Sequence, residues 1–302
     1  MQYKVSIKRK CYLLSVLLMT VWLTGCVQEE FESTPSPAGN GIRFTLTVPD
    51  VNLPSVSSRT MTGTGTAKKE DEIKTVDILV FDMSKTPAVF LEWVSATGVT
   101  QDLADNSTVS FSAVLSPTTA STCIVVVANK ELDDIVSGFT KGVTTKVRAM
   151  EEMLHTQTGK WLADGSTTGG YTRIPMYGEK VISKITPSMD PITDINMKRM
   201  LARIDIRNNS VTSNFTVEEV YLANYNTTGY IAPAWNTNGQ VTEPAPDTPV
   251  LPTGSGKMTE EGNAILYSVN GNTPYDGEIY TFESLAAGDA GGAGGPHPGV
   301  GL

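Results

Sequence analysis

The chain has 302 residues, with 23 Lys and Arg against 32 Asp and Glu and a net charge of −9. An acidic chain repels phosphate backbones, which excludes nucleic acid as a partner. The length suits two domains of ordinary size.

The first 25 residues read as a signal. Lys4, Lys8, Arg9 and Lys10 precede an apolar stretch from Tyr12 to Trp22, and the run Leu23-Thr24-Gly25-Cys26 follows. That is the three-part plan of a secretory signal with small residues at the cleavage point. The apolar stretch is too short to span a bilayer as a helix. A cysteine directly after small residues is what a lipoprotein signal peptidase needs. The expectation is that Cys26 is acylated, the chain is cut before it, and the mature protein is held to the outer membrane by lipid. The alternative is an ordinary signal with a chance cysteine. Removing four cations and no acid leaves a mature charge of −13. Cys11 leaves with the signal, so Cys123 has no partner for an intramolecular disulfide and reads as a small buried hydrophobe.

Residues 26–40 form an acidic linker. Val27-Gln28-Glu29-Glu30-Phe31-Glu32 resembles the acidic export signal that sends Bacteroidetes lipoproteins to the outer face of the outer membrane; a solvated linker is the bland alternative. Strict alternation then starts at Gly41. Ile42, Phe44, Leu46 and Val48 share one face and Arg43, Thr45 and Thr47 the other, the signature of a half-buried strand. A loop rich in Pro, Ser, Thr and Gly follows from Pro49 to Thr66 and carries one basic residue, Arg59, followed by Thr60.

Strands are expected at Ile73 to Asp82, with a hairpin partner at Val89 to Val94, and at Thr108 to Leu115. The continuous apolar run Cys123 to Ala128 suits a central strand. Val143 to His155 is the one convincing helical segment, with Val147, Met150, Met153 and Leu154 at helical spacing. Ile174 to Thr186 is extended. A boundary is expected near Asp190 to Asn196. Beyond it, strands are expected at Met197 to Asn208, Val217 to Tyr225, Ile265 to Val269 and Glu278 to Phe282.

Many short strands, turn-rich connections and one helix indicate a mainly all-β chain. The expected architecture is two tandem β-sandwich domains, transthyretin-like or Greek-key in type, over 41–193 and 194–287, with one short helix in the first. A Gly-rich tail over 288–302 follows. Seven of its fifteen residues are glycine, a composition not expected to pack as a strand. It reads as a disordered tail or as a truncated or frame-shifted coding sequence.

No nucleophile elbow, phosphate loop or dinucleotide fingerprint occurs. Glu151 and His155 are four apart, but a zinc hydrolase helix needs two histidines and a placed glutamate. No enzyme, metal or cofactor is expected. Trp93, Trp161, Tyr171, Tyr177, Tyr230 and Trp235 could supply a stacking platform for sugars, although core packing is the simpler account.

Several segments together resemble the fimbrillin family of type V pilus subunits in Bacteroidales. They are the Cys26 run with its acidic follow-on, Val80-Phe81-Asp82, Val125-Val126-Val127-Ala128-Asn129, Ile174-Pro175-Met176-Tyr177-Gly178-Glu179, and Lys198-Arg199-Met200-Leu201-Ala202-Arg203-Ile204-Asp205. The resemblance covers roughly Cys26 to Ser284. It implies a structural subunit of a surface fimbria with a role in adhesion, exported as a lipoprotein and then cut by an Arg-specific maturation protease. Arg59 and Thr60 match the cleavage site, and Ile42 to Val48 match the strand that leaves so that a neighbouring subunit's strand can take its place. The partners implied are other fimbrial subunits. A stalk subunit of that family donates a strand from its C-terminus, where this chain has the glycine tail, so an acceptor at the tip or a damaged stalk subunit is implied. The competing reading is a non-polymerising surface lipoprotein that binds a glycan or a host protein.

Overall fold

Two kinds of strand build this chain, and burial separates them. The computed structural model describes residues 42–48, 71–101, 108–157, 159–161, 173–204, 219–223, 225–243, 249–253, 264–268, 279–284 and 299–301. Contacts divide the chain into Met1–Asn40 and Gly41–Leu302, and every described residue lies in the second unit.

The first kind alternates. β1 (Ile42–Thr47) and β5 (Thr108–Ala113) bury every second side chain. They lie in a four-stranded sheet, order β4-β5-β1-β9, with β4 (Thr97–Gln101) and β9 (Ile192–Asn196). The second kind is buried on both faces. β2 (Val76–Asp82) is covered at six of seven positions and β6 (Thr122–Ala128) at all seven. A strand between two covered faces has no need of alternation, which is why Cys123 to Ala128 reads as one apolar run. These strands form a five-stranded sheet, order β10-β8-β6-β2-β3, with β3 (Val89–Ser95), β8 (Met176–Ile182) and β10 (Lys198–Arg199).

The sheets enclose two cores. Between them lie Ile42, Phe44, Leu46 and Val48 with Val109, Phe111, Ile78, Val80, Ile124, Val126, Ile192 and Ile195. Beyond the five-stranded sheet, Leu79, Phe81, Cys123, Val125, Val127 and Tyr177 pack under a helix and the later chain.

That helix, α2 (Lys146–Glu152), follows a one-turn helix, α1 (Asp133–Val136). Thr145 caps α2, its side chain accepting from the Arg148 N–H at 3.2 Å. The expected helix over Val143 to His155 is therefore shortened at both ends. His155 lies in β7 (Leu154–Thr156), which pairs antiparallel with β13 (Thr228–Tyr230). Pairing with a distant strand overrides local helical spacing here. The expected single helix is joined by α1, where Asp133-Asp134 opens one turn instead of a plain loop.

The later strands are short. β11 (Ala202–Ile204) pairs with β15 (Ile279–Thr281), and β12 (Glu219–Ala223) with β14 (Ile265–Ser268). The glycine tail departs from expectation. Gly299–Gly301 forms β16 and pairs antiparallel with β12, Leu222 opposite Val300. An edge ladder needs only backbone donors and acceptors, so glycines can supply it despite their entropy cost. The expected boundary at 193/194 falls within β9, which pairs with β1.

Candidate functional site

β1 is an interior strand of six residues, held by an apolar inward face and by backbone ladders on both sides. It pairs antiparallel with β5 along its whole length, from Ile42 opposite Ala113 to Thr47 opposite Thr108. On its other side it pairs parallel with β9, Phe44 beside Ile192 and Leu46 beside Ile195. The Met197 N–H donates to the Thr47 carbonyl at 2.9 Å, closing the far end.

The inward side chains are sealed. Ile42, Phe44, Leu46 and Val48 are at most 4% exposed. Phe44 stacks on Phe111 with ring centroids 5.0 Å apart and planes 7° from parallel. The outward residues, Arg43, Thr45 and Thr47, are exposed or half-buried. Among the described residues, this core is built of apolar side chains from β1, β2, β5, β6 and β9.

The two walls differ in support. β5 has β4 on its far side. Among the described residues β9 is the last strand of its sheet, beside β1 and in contact with β8. Gly178 sets that contact. A Cβ there would lie 2.7 Å from Met197 Sδ and 2.8 Å from Ile195 Cγ2, so only glycine lets β8 pass so close. The free edge of β9 is blunted: Asp194 has φ of 59°, and Lys180 Nζ donates to the Thr193 carbonyl at 2.5 Å.

The sequence-predicted residues divide cleanly. Ile42, Phe44, Leu46 and Val48 are brought together on one face of β1. Cys26, Arg59 and Thr60 lie outside the described residues. The aromatic platform is not assembled: Trp161 and Tyr177 are buried in the second core, and Tyr171 lies outside the described residues. Tyr230 and Trp235 do meet, edge to face with centroids 4.9 Å apart. Glu151 and His155 do not share a helical face, because His155 lies in β7. Among the described residues no group of His, Cys, Asp or Glu could hold a metal. Nor is any helix among them long and apolar enough to cross a membrane.

Cys123 is buried and unpaired, as its apolar run suggested. Burial pushes its thiol up to about 12, against an opposing pull from the Lys146 ammonium. A thiol held protonated is inert to oxidation and exchange.

Sequence reasoning missed Lys146. It is 1% exposed, and its ammonium donates to Glu179 Oε2 at 2.6 Å and to the Gly239 carbonyl at 2.6 Å. Tyr177 Oη donates to the same carboxylate oxygen at 2.5 Å. Burial, with the Glu179 charge next to it, holds the Tyr177 phenol well above its usual range. The signal was available: Lys146 precedes Ala149, Met150 and Met153 by three, four and seven residues, placing a cation on the apolar stripe.

The family described as "Major fimbrial subunit protein (FimA)" matches this chain over residues 42–273. No curated protein matches. Among solved structures, a candidate cell adhesion protein from Parabacteroides distasonis is similar at 17% identity and a TM-score of 0.45, covering 83% of this chain and 73% of its own. A fimbrial assembly protein from the same organism is similar at 11% identity and a TM-score of 0.41, with 86% and 85% covered. A candidate adhesin from Bacteroides ovatus is similar at 13% identity and a TM-score of 0.37, with 81% and 68% covered.

Proposed function

The chain belongs to the family of major fimbrial subunit proteins, and from that premise we propose that it assembles by exchanging β1 for a strand of a neighbouring subunit. Its membership makes it a non-enzymatic structural subunit of a surface fimbria, assembled with other fimbrial subunits. In the proposal, Cys26 carries the lipid that anchors the precursor in the outer membrane. An Arg-specific protease cuts between Arg59 and Thr60. The Ile42 to Val48 segment leaves, and an incoming strand with the same alternation fills the seat. The finished subunit serves adhesion at the cell surface. The proposed division is two sandwich domains, with the first extended past 193 to take in β9 and β10.

The observation that carries this reading is the position of β1: interior in its sheet, sealed by four side chains, and joined to β2 only through the segment that contains Arg59. Each inward side chain contributes roughly 1.5–3 kcal/mol by burial. Four contribute about 6–12 kcal/mol, comparable to the ~5–15 kcal/mol stability of a whole domain. An emptied seat would therefore be a strong acceptor. It would also expose unpaired N–H and C=O groups on both β5 and β9, which strand addition repairs. Cleavage makes the exchange one-way and the product kinetically stable.

Limited trypsin digestion of the soluble form lacking the signal tests the cut. Intact mass should give a chain beginning at Thr60, and Arg59→Ala should abolish that product. Cleavage elsewhere with Arg59 intact would overturn the proposed site.

A further inference from the structure

We propose that Lys146 is a pin that locks the 234–242 hairpin onto the first sandwich and so holds the 225–243 segment in one orientation. The inference is independent of strand exchange. It rests on a charge that cannot be left alone.

The hairpin is self-contained. The Asn236 N–H donates to the Gln240 carbonyl at 2.9 Å, and the Thr242 N–H donates to the Ala234 carbonyl at 2.9 Å. At its tip, Asn236 Oδ1 accepts from the Asn238 and Gln240 N–H groups at 2.9 and 3.1 Å. Gly239 has φ of 75°, a left-handed conformation that glycine adopts freely. A Cβ there would lie 3.1 Å from Val147 N and 3.3 Å from Lys146 Cβ. Glycine thus provides both the turn and the close approach that delivers the Gly239 carbonyl to the ammonium.

The remaining partners come from the sandwich. Glu179 lies on β8, two residues from Tyr177, and the phenol orients the carboxylate that Lys146 meets. Ala149, Met150, Met153, Val125 and Cys123 belong to the apolar core on this face. If the hairpin lifted away, the ammonium would lose an acceptor beside that apolar wall. A buried charge short of a partner is penalised strongly, so hairpin and helix separate together or not at all. An apolar side chain at this position would leave the hairpin free to slide; the carbonyl–ammonium bond fixes one register. A registry role is the best-attested use of a buried polar group.

Hydrogen exchange of the full chain tests this. Lys146→Met should raise exchange at Gly239, Gln240 and Thr242 by about tenfold or more, while β2 and β6 keep their protection. Glu179→Gln, which retains an acceptor, should give a smaller rise at the same amides and guards against a Lys146→Met chain that does not fold. The double variant Lys146→Met with Glu179→Gln removes both charges and keeps an acceptor for the Tyr177 phenol. It should recover the thermal midpoint but not the protection at 239–242. Recovery of both, or a rise spread evenly through β2 and β6, would overturn the pin.

Discussion

The five-stranded sheet has a core on each face, and the two are closed by different chemistry. Between the sheets the lid is β1, which contributes four apolar side chains and a ladder but no charged contact. On the opposite face the lid is α2 with the later chain, and a lysine is bonded into it. Apolar alternation specifies a strand only up to its period, which is what the proposed exchange at the first seat requires. A buried ammonium with two placed acceptors specifies one neighbour. If β1 exchanges as proposed, exchangeability lies on one face and permanence on the other.

The largest effect should follow from putting a charge into the exchangeable core. Leu46 is 0% exposed. Leu46→Asp should cost the uncleaved chain more than the ~2–5 kcal/mol typical of Leu→Ala, measured by urea unfolding. Because Leu46 leaves with β1, the same change should be silent in a cut chain refilled by an intact strand. A deficit that persists there would break the contrast.

Next comes the permanent face. Lys146→Met takes the cation from Glu179 and should cost about 3–5 kcal/mol in urea unfolding, with most of it regained in the Lys146→Met, Glu179→Gln double variant. Full additivity of the two changes would mean the groups are not coupled.

Gly178→Ala should cost about 1–3 kcal/mol by overpacking, since the new Cβ meets Met197 and Ile195. Those residues follow or line β9, so the damage should fall on the seat of β1. Faster release of β1 after cleavage would show it.

The smallest effect concerns pH. Burial lowers His155 from 6.5 to about 4, with the Lys130 ammonium adding to the shift and nearby Gln157 opposing it. Trp161 lies with its ring centroid 4.9 Å away. The neutral imidazole is favoured on folding. Its contribution is therefore present above pH 6.5 and lost as pH falls through about 4. Thermal midpoints should fall between those pH values, and less steeply in His155→Phe. Equal slopes would remove His155 as the cause.

Around the first core, β1, β2, β5 and β6 were legible because alternation and continuous burial leave different marks, whereas β9 fell in the stretch read as a boundary. Ile42 to Val48 alternates because one face meets water; Cys123 to Ala128 does not because neither does. β4 and β13 left little mark, since they are short and Gly98 and Gly229 break their apolar pattern. Their places come from partners far along the chain. The end of α2 was hidden for the same reason, with Leu154 to Thr156 drawn into pairing with β13. Lys146 was hidden in a different way. A lysine reads as solvent-facing, and only a carboxylate from β8 and a carbonyl from Gly239 make its burial tolerable. Cys26 and Arg59 rest on sequence motif alone.

The most direct test of the exchangeable seat is refilling. The chain is cut after Arg59, freed of its upstream fragment, and given a labelled synthetic peptide of residues 41–48. The account predicts that the peptide binds and survives an unboiled gel, and that a peptide with Ser at the positions of Phe44 and Leu46 does not. A cut chain that binds neither peptide, and keeps its thermal midpoint without β1, would contradict it.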